Sequence, residues 1–142
     1  MNPPSTTGKW LRTGLWIAQI VVFAIFVAAG YMKFTTPIPE LSKMMPWTGD
    51  VPVRFVRFIG IIDMAGGLGV LLPTVTRVLP GVTVFAALGC TILQVFAIGF
   101  HVSRGEFIAL PLNAVLLPLV IFIFWGRRRT ASSVSARSGI RL

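Results

Sequence analysis

Four apolar runs divide this chain, each close to the roughly 20 residues an α-helix needs to cross a bilayer. They fall at about residues 11–32, 53–72, 79–100 and 107–125. Runs of this length in hydrocarbon are helices, because a helix satisfies its own backbone hydrogen bonds. Only 12% of the 142 residues are charged and the mean hydropathy is +0.84. Soluble domains carry about 25% charged residues. The expectation is therefore an all-α fold, an integral membrane four-helix bundle over residues 9–126. A flexible start at 1–8 precedes it, and a basic, disordered tail at 127–142 completes the chain.

The first run has a rival reading as a signal peptide, with Ala28, Ala29 and Gly30 near a cleavage site. Gln19 within it, Tyr31 after it and the three later runs favour a retained helix. Trp10, Trp16 and Tyr31 near its ends fit an aromatic belt. The stretch from Lys33 to Pro52 holds four prolines and mixed charge. It reads as a loop with a short amphipathic turn near Glu40 to Met45 and with Trp47 as an interface anchor. The second helix is expected to stop at Pro73. Pro111 and Pro118 fall within the fourth, where they predict a kink.

The net charge of +9 does not point to nucleic acid, since the basic residues bracket apolar runs. An even number of spans puts both termini on one side. That side holds eight basic residues: Lys9, Arg12, Arg77, Arg127, Arg128, Arg129, Arg137 and Arg141. The other holds five: Lys33, Lys43, Arg54, Arg57 and Arg104. The excess puts both termini in the cytoplasm, with Arg127, Arg128 and Arg129 as a topology anchor that also attracts anionic lipid.

Cys90 and His101 are the single cysteine and histidine, which excludes an internal disulfide, a CxxC pair and a bis-histidine haem within one chain. There is no nucleophile–base pair, metal-ligand spacing or phosphate loop, so no catalytic or metal-binding residue is assigned and a stand-alone enzyme is disfavoured. The glycines of GGLG lie inside a spanning helix and are not a nucleotide site. Cys90 beside Gly89 reads as a small packing residue.

What remains is a layer of polar groups. Asp63 lies inside the second run, where a charge costs a few kcal/mol or more and marks a function or a partner. Counting along each helix puts Asp63, Gln94 and Asn113 on the order of 10 Å below the outer surface. Lys33, His101 and Glu106 lie just above, and Gln19 falls in the inner half. Gly60, Asp63 and Gly67 share one helical stripe, with Gly66 beside it and Gly30 on the first helix, so a neighbouring backbone can approach closely. Two readings stay open: a clasp of Asp63 with Lys33 or Asn113, or a small polar cavity that binds a headgroup or relays a proton. His101 by itself reads more simply as an interface residue.

GYMKF at Gly30 to Phe34, the proline-bearing loop, FIGIIDMAGGLGVLLP at Phe58 to Pro73, His101, and PLNAVLLPL at Pro111 to Leu119 together resemble the DoxX/DoxX-like family of small four-helix bacterial membrane proteins. The resemblance covers roughly Leu15 to Trp125 and implies characteristic positions at Gly30, Lys33, Asp63, Gly67, His101 and Asn113. The family often has Glu where this chain has Asp63, so this acid reaches about one methylene less toward Lys33. Family members are named as a small subunit of thiosulfate:quinone oxidoreductase or terminal quinol oxidase. The resemblance implies a multi-pass protein of the bacterial inner membrane and an accessory, non-catalytic partner of a quinone-linked oxidoreductase or a redox or stress-response complex. No cofactor is expected on this chain alone; a quinone would contact the polar layer, and a redox partner protein would hold the metal centres. The alternatives are a proton- or solute-translocating protein, acting as a homo-oligomer around Asp63, and a structural scaffold in the lipid bilayer.

Overall fold

A computed structural model describes residues 6–138, and it is helical with short connections. α1 (Thr6–Thr35) leads into the short α2 (Ile38–Met44) and a 3-10 turn (Pro46–Gly49). α3 (Val53–Thr76) and α4 (Pro80–Arg104) come next, then a 3-10 turn (Phe107–Ala109) and α5 (Leu110–Ser138). Four of these helices are long and apolar enough to cross a membrane. α1 packs on α3 and α5, and α4 packs on the same two, so the four close into a ring.

The closest approach is between α1 and α3, and its cause is glycine. A Cβ on Gly30 would lie 2.5 Å from the Gly60 carbonyl oxygen, and one on Gly60 would lie 2.8 Å from that of Gly30. Any side chain at either position would push the backbones apart. Gly67 belongs to the same contact, against Phe23, Phe26 and Val27. Gly66 faces α4, where a Cβ would lie 2.7 Å from Cys90 Sγ. Cys90 is buried there among Phe26, Val70 and Leu116, as a packing residue.

Two apolar clusters fill the bundle. The larger joins Ala18, Val22, Val70, Ala87, Val120 and Ile123. The smaller sits at the loop end, where Leu41 and Trp47 fold onto Val56. Trp47 is thus buried, at 7% exposure, rather than an interface anchor, because the 3-10 turn that contains it folds it onto Leu41 and Val56. Phe85, Ile92 and Val95 on α4 point outward, as a lipid-facing surface requires.

Several boundaries differ from the sequence reading. α3 runs through Pro73 to Thr76 and ends at Arg77, which adopts φ 59°. Proline removes one donor and need not end a helix whose neighbours hold it in place. Pro111 falls in the first turn of α5 after the 3-10 turn, where it costs nothing, and only Pro118 lies inside. α5 continues to Ser138 instead of ending at Trp125. Thr130 and Ser132 return their hydroxyls to the Gly126 and Arg128 carbonyls, and no proline interrupts this segment. The expected flexible start falls mostly outside the described residues, with helix from Thr6 onward, and so do residues 139–142 of the expected tail.

Candidate ligand cavity

Between the two apolar clusters lies a half-open cavity of about 540 Å³, to which all four long helices contribute. Its walls are chiefly apolar, with Phe26, Ile59, Ala97 and Leu116 among them, and residues 44–47 form a strap across the loop end. Lys33, Asp63, Gln94, His101 and Asn113 all line it. The three positions expected at one depth, Asp63, Gln94 and Asn113, and the Lys33, His101 and Glu106 expected just above them therefore border one space.

They do not all bond to one another. Lys33 Nζ donates to Asp63 Oδ2 at 2.6 Å, with side-chain exposures of 13% and 9%. The shorter acid reaches its partner because the Gly30–Gly60 contact brings α1 and α3 together one turn away. Lys33 lies in the last turn of α1, where a cation suits the helix dipole, and Arg57 Nη1 donates to the Lys33 carbonyl. Asn113 Nδ2 donates to the Ala109 carbonyl at 2.9 Å. Gln94, at 5% exposure, leaves its Nε2 without a hydrogen-bond partner among the described residues.

The rim is a chain of charges. Glu106 Oε2 is 2.8 Å from His101 Nδ1, Arg104 Nε donates to Glu106 Oε1 at 2.9 Å, and Arg104 Nη2 donates to Asp50. Burial raises the Glu106 carboxyl, but hydrogen bonds from Arg104 and His101 outweigh it and hold that group below the usual range. Trp47 meets the Phe100 ring edge-on at 5.9 Å, and the Arg104 guanidinium lies 5.4 Å from the same ring. These contacts tie the strap to α4. Asp50 joins this chain from outside the sequence cue, the stretch HVSRGE at 101–106, in which a histidine and two opposite charges lie close together; its first four residues belong to α4.

The sequence reading also missed a polar node at the terminal end. Gln19 Nε2 donates to the Val70 carbonyl at 2.6 Å and to Thr74 Oγ1 at 3.0 Å. Its Oε1 accepts from Arg127 Nε at 2.9 Å and from Arg127 Nη2. Thr74 in turn pairs with Thr83 on α4. Arg127 is thus drawn into the bundle, with its guanidinium 5.5 Å from the Trp16 ring. Arg129 lies outside, 3.9 Å over the Trp125 ring.

Such a cavity can hold a mostly apolar ligand and offer it a few fixed polar groups, within the usual size range of ligand sites. Among comparisons with known proteins, a family model described as the DoxX-like family matches residues 17–123. No curated protein and no solved structure matches the chain.

Proposed function

The chain belongs to the DoxX-like family, and from that premise we propose that this multi-pass membrane protein is the ligand-binding, non-catalytic partner of a quinone-linked oxidoreductase or related redox complex. The observation that carries the reading is the convergence of Lys33, Asp63, Gln94, His101 and Asn113 on one largely apolar cavity. A quinone has this character, a flat apolar ring bearing two carbonyl acceptors. The protein sits in a bacterial inner membrane with both termini in the cytoplasm, so the cavity lies in the outer half and Arg127 to Arg129 on the inner side.

The clasp and the cavity are compatible. Lys33 and Asp63 bind α1 to α3, and the space beside them takes the ligand. A translocation role has less support, because the carboxylate it would use already holds an ammonium at 2.6 Å.

The test is purification from native membranes in a mild detergent after cross-linking, with mass spectrometry of the proteins that co-purify with the chain. Recovery of a quinone-linked oxidoreductase subunit is the expected result. Repeated recovery of the chain alone overturns the reading.

A further inference from the structure

Hydrogen-bonding capacity that a protein leaves unused around a cavity shows what a guest must bring. Asp63 on α3, Gln94 on α4 and Asn113 on α5 are buried, and all three line the cavity. Each has an oxygen without a hydrogen-bond partner among the described residues. Asp63 gives Oδ2 to Lys33 and keeps Oδ1 unused. Asn113 is oriented by the Ala109 carbonyl, which takes Nδ2 and leaves Oδ1 unpaired. Gln94 has its Nε2 sealed inside the protein, so Oε1 is the atom of that amide left with open surface. Because the three residues are otherwise buried, the surface their oxygens keep belongs to the cavity. An amide or carboxylate oxygen only accepts, so whatever completes this set must be a donor.

The charge of that donor is set by the ion pair in the same wall. A cationic ligand would compete with Lys33, whose ammonium already holds Asp63 at 2.6 Å. Displacing it leaves a charge unmatched out of water. An anion would meet three oxygens and bring no hydrogen. A neutral hydroxyl avoids both conflicts, because it donates its hydrogen and also accepts through its oxygen. Lys33 has hydrogens to give it, since its ammonium carries three and uses one on Asp63. A carbonyl only accepts, and it would leave all three wall oxygens as unmet as before.

We propose that the cavity binds an uncharged apolar molecule through a hydroxyl group that donates to the acceptor set of Asp63 Oδ1, Gln94 Oε1 and Asn113 Oδ1. The inference rests on the reading of the cavity as a ligand site and adds the polarity of that site. Within a quinone couple it selects the reduced form, whose ring carries two hydroxyls, over the oxidised form, whose ring carries two carbonyls. Gln94 lies about two helical turns, on the order of 10 Å, deeper than His101 on the same helix. The hydroxyl therefore sits at the level of the Lys33–Asp63 pair, not among the rim charges. Phe26, Ile59 and Leu116 border the apolar part. Two sources share this chemistry, the ring hydroxyl of a hydroquinone and the alcohol of a neutral lipid.

The experiment measures binding to the full chain in nanodiscs by calorimetry, with empty nanodiscs as the blank. The probes are decylbenzene and its derivatives carrying a para hydroxyl, hydroxymethyl, acetyl or aminomethyl group. The wild type is expected to bind a hydroxyl-bearing probe about tenfold more tightly than decylbenzene, the difference one neutral hydrogen bond supplies. The acetyl probe is expected to match decylbenzene, and the aminomethyl cation to bind weakest. Gln94→Leu/Asn113→Leu is expected to narrow the hydroxyl preference by about threefold or more. A stronger response to the phenol or to the alcohol identifies the source. An acetyl or aminomethyl probe that binds as tightly as the hydroxyl probes overturns the proposal while the cavity stands. A hydroxyl preference that survives the double variant in full overturns the assignment to these oxygens. If the wild type binds none of the five, the ligand-site reading itself fails. Because leucine suits a membrane helix, a thermal melt confirms that the variant is folded; if it melts early, the two single variants carry the same comparison.

Discussion

The two ends of the bundle solve the same problem in opposite ways. At the terminal end a buried glutamine meets a carbonyl, a threonine and an arginine, and the node is closed. At the loop end a second buried glutamine borders an open cavity and meets nothing through its nitrogen among the described residues. Burial alone therefore does not tell a closed polar node from an open one. Whether hydrogen-bonding capacity is used up does, because an unmet donor leaves a desolvation cost.

The sharpest break in this contrast would come from the Lys33–Asp63 pair at the loop end. Lys33→Met leaves Asp63 buried without its cation, and unfolding in detergent should register a loss of about 3 kcal/mol. The double variant Lys33→Met/Asp63→Leu should regain most of it, since a well-packed apolar pair replaces a buried ion pair at little cost. Equal losses in the single and double variants would show that the pair does not clasp α1 to α3.

The glutamines themselves provide the next test. Gln19→Leu strands Arg127 and Thr74 and should cost about 2 kcal/mol of stability in the same assay. Gln94→Leu removes an unmet donor and should be neutral or stabilising. Matching losses at both sites would erase the distinction between a closed node and an open cavity.

The smallest effect belongs to the rim. Glu106 is held below the usual carboxylate range, so the stability it adds is present above its unfolded pKa of about 4.3 and is lost as pH falls through the lower folded value. The melting difference between wild type and Glu106→Gln should stay constant from neutral pH to about pH 5 and close below about pH 4. Since rim ion pairs are weak, it should be under about 1 kcal/mol at its largest. A difference that persists unchanged to pH 3 would show that the carboxylate charge contributes nothing.

Much of the fold was legible because a bilayer permits so few answers. Run length alone gave four spanning helices, and the depth count put Asp63, Gln94 and Asn113 at one level, where the structure has them lining one cavity. Helix ends were less legible. A spanning helix can continue past Pro73 or Trp125 when its neighbours and its own threonine and serine hydroxyls support it, and local sequence does not encode those neighbours. Trp47 was misplaced for a related reason. An aromatic residue in a proline-rich loop looks like an interface anchor until two short turns fold it onto Leu41 and Val56.

The sequence by itself determined that this chain crosses a membrane, that it does so four times, and that Asp63 marks a function or a partner, because hydrocarbon penalises every unpaired polar group. Only the tertiary structure decided which groups met. The Gly30–Gly60 contact brought Lys33 within 2.6 Å of Asp63 although the acid is short. Rotation of the helices in the ring then gave Gln19 its three partner residues and left the Gln94 nitrogen buried without one among the described residues. Depth can be counted along the chain, but pairing depends on helix separation and rotation, which are set by packing between segments far apart in the chain.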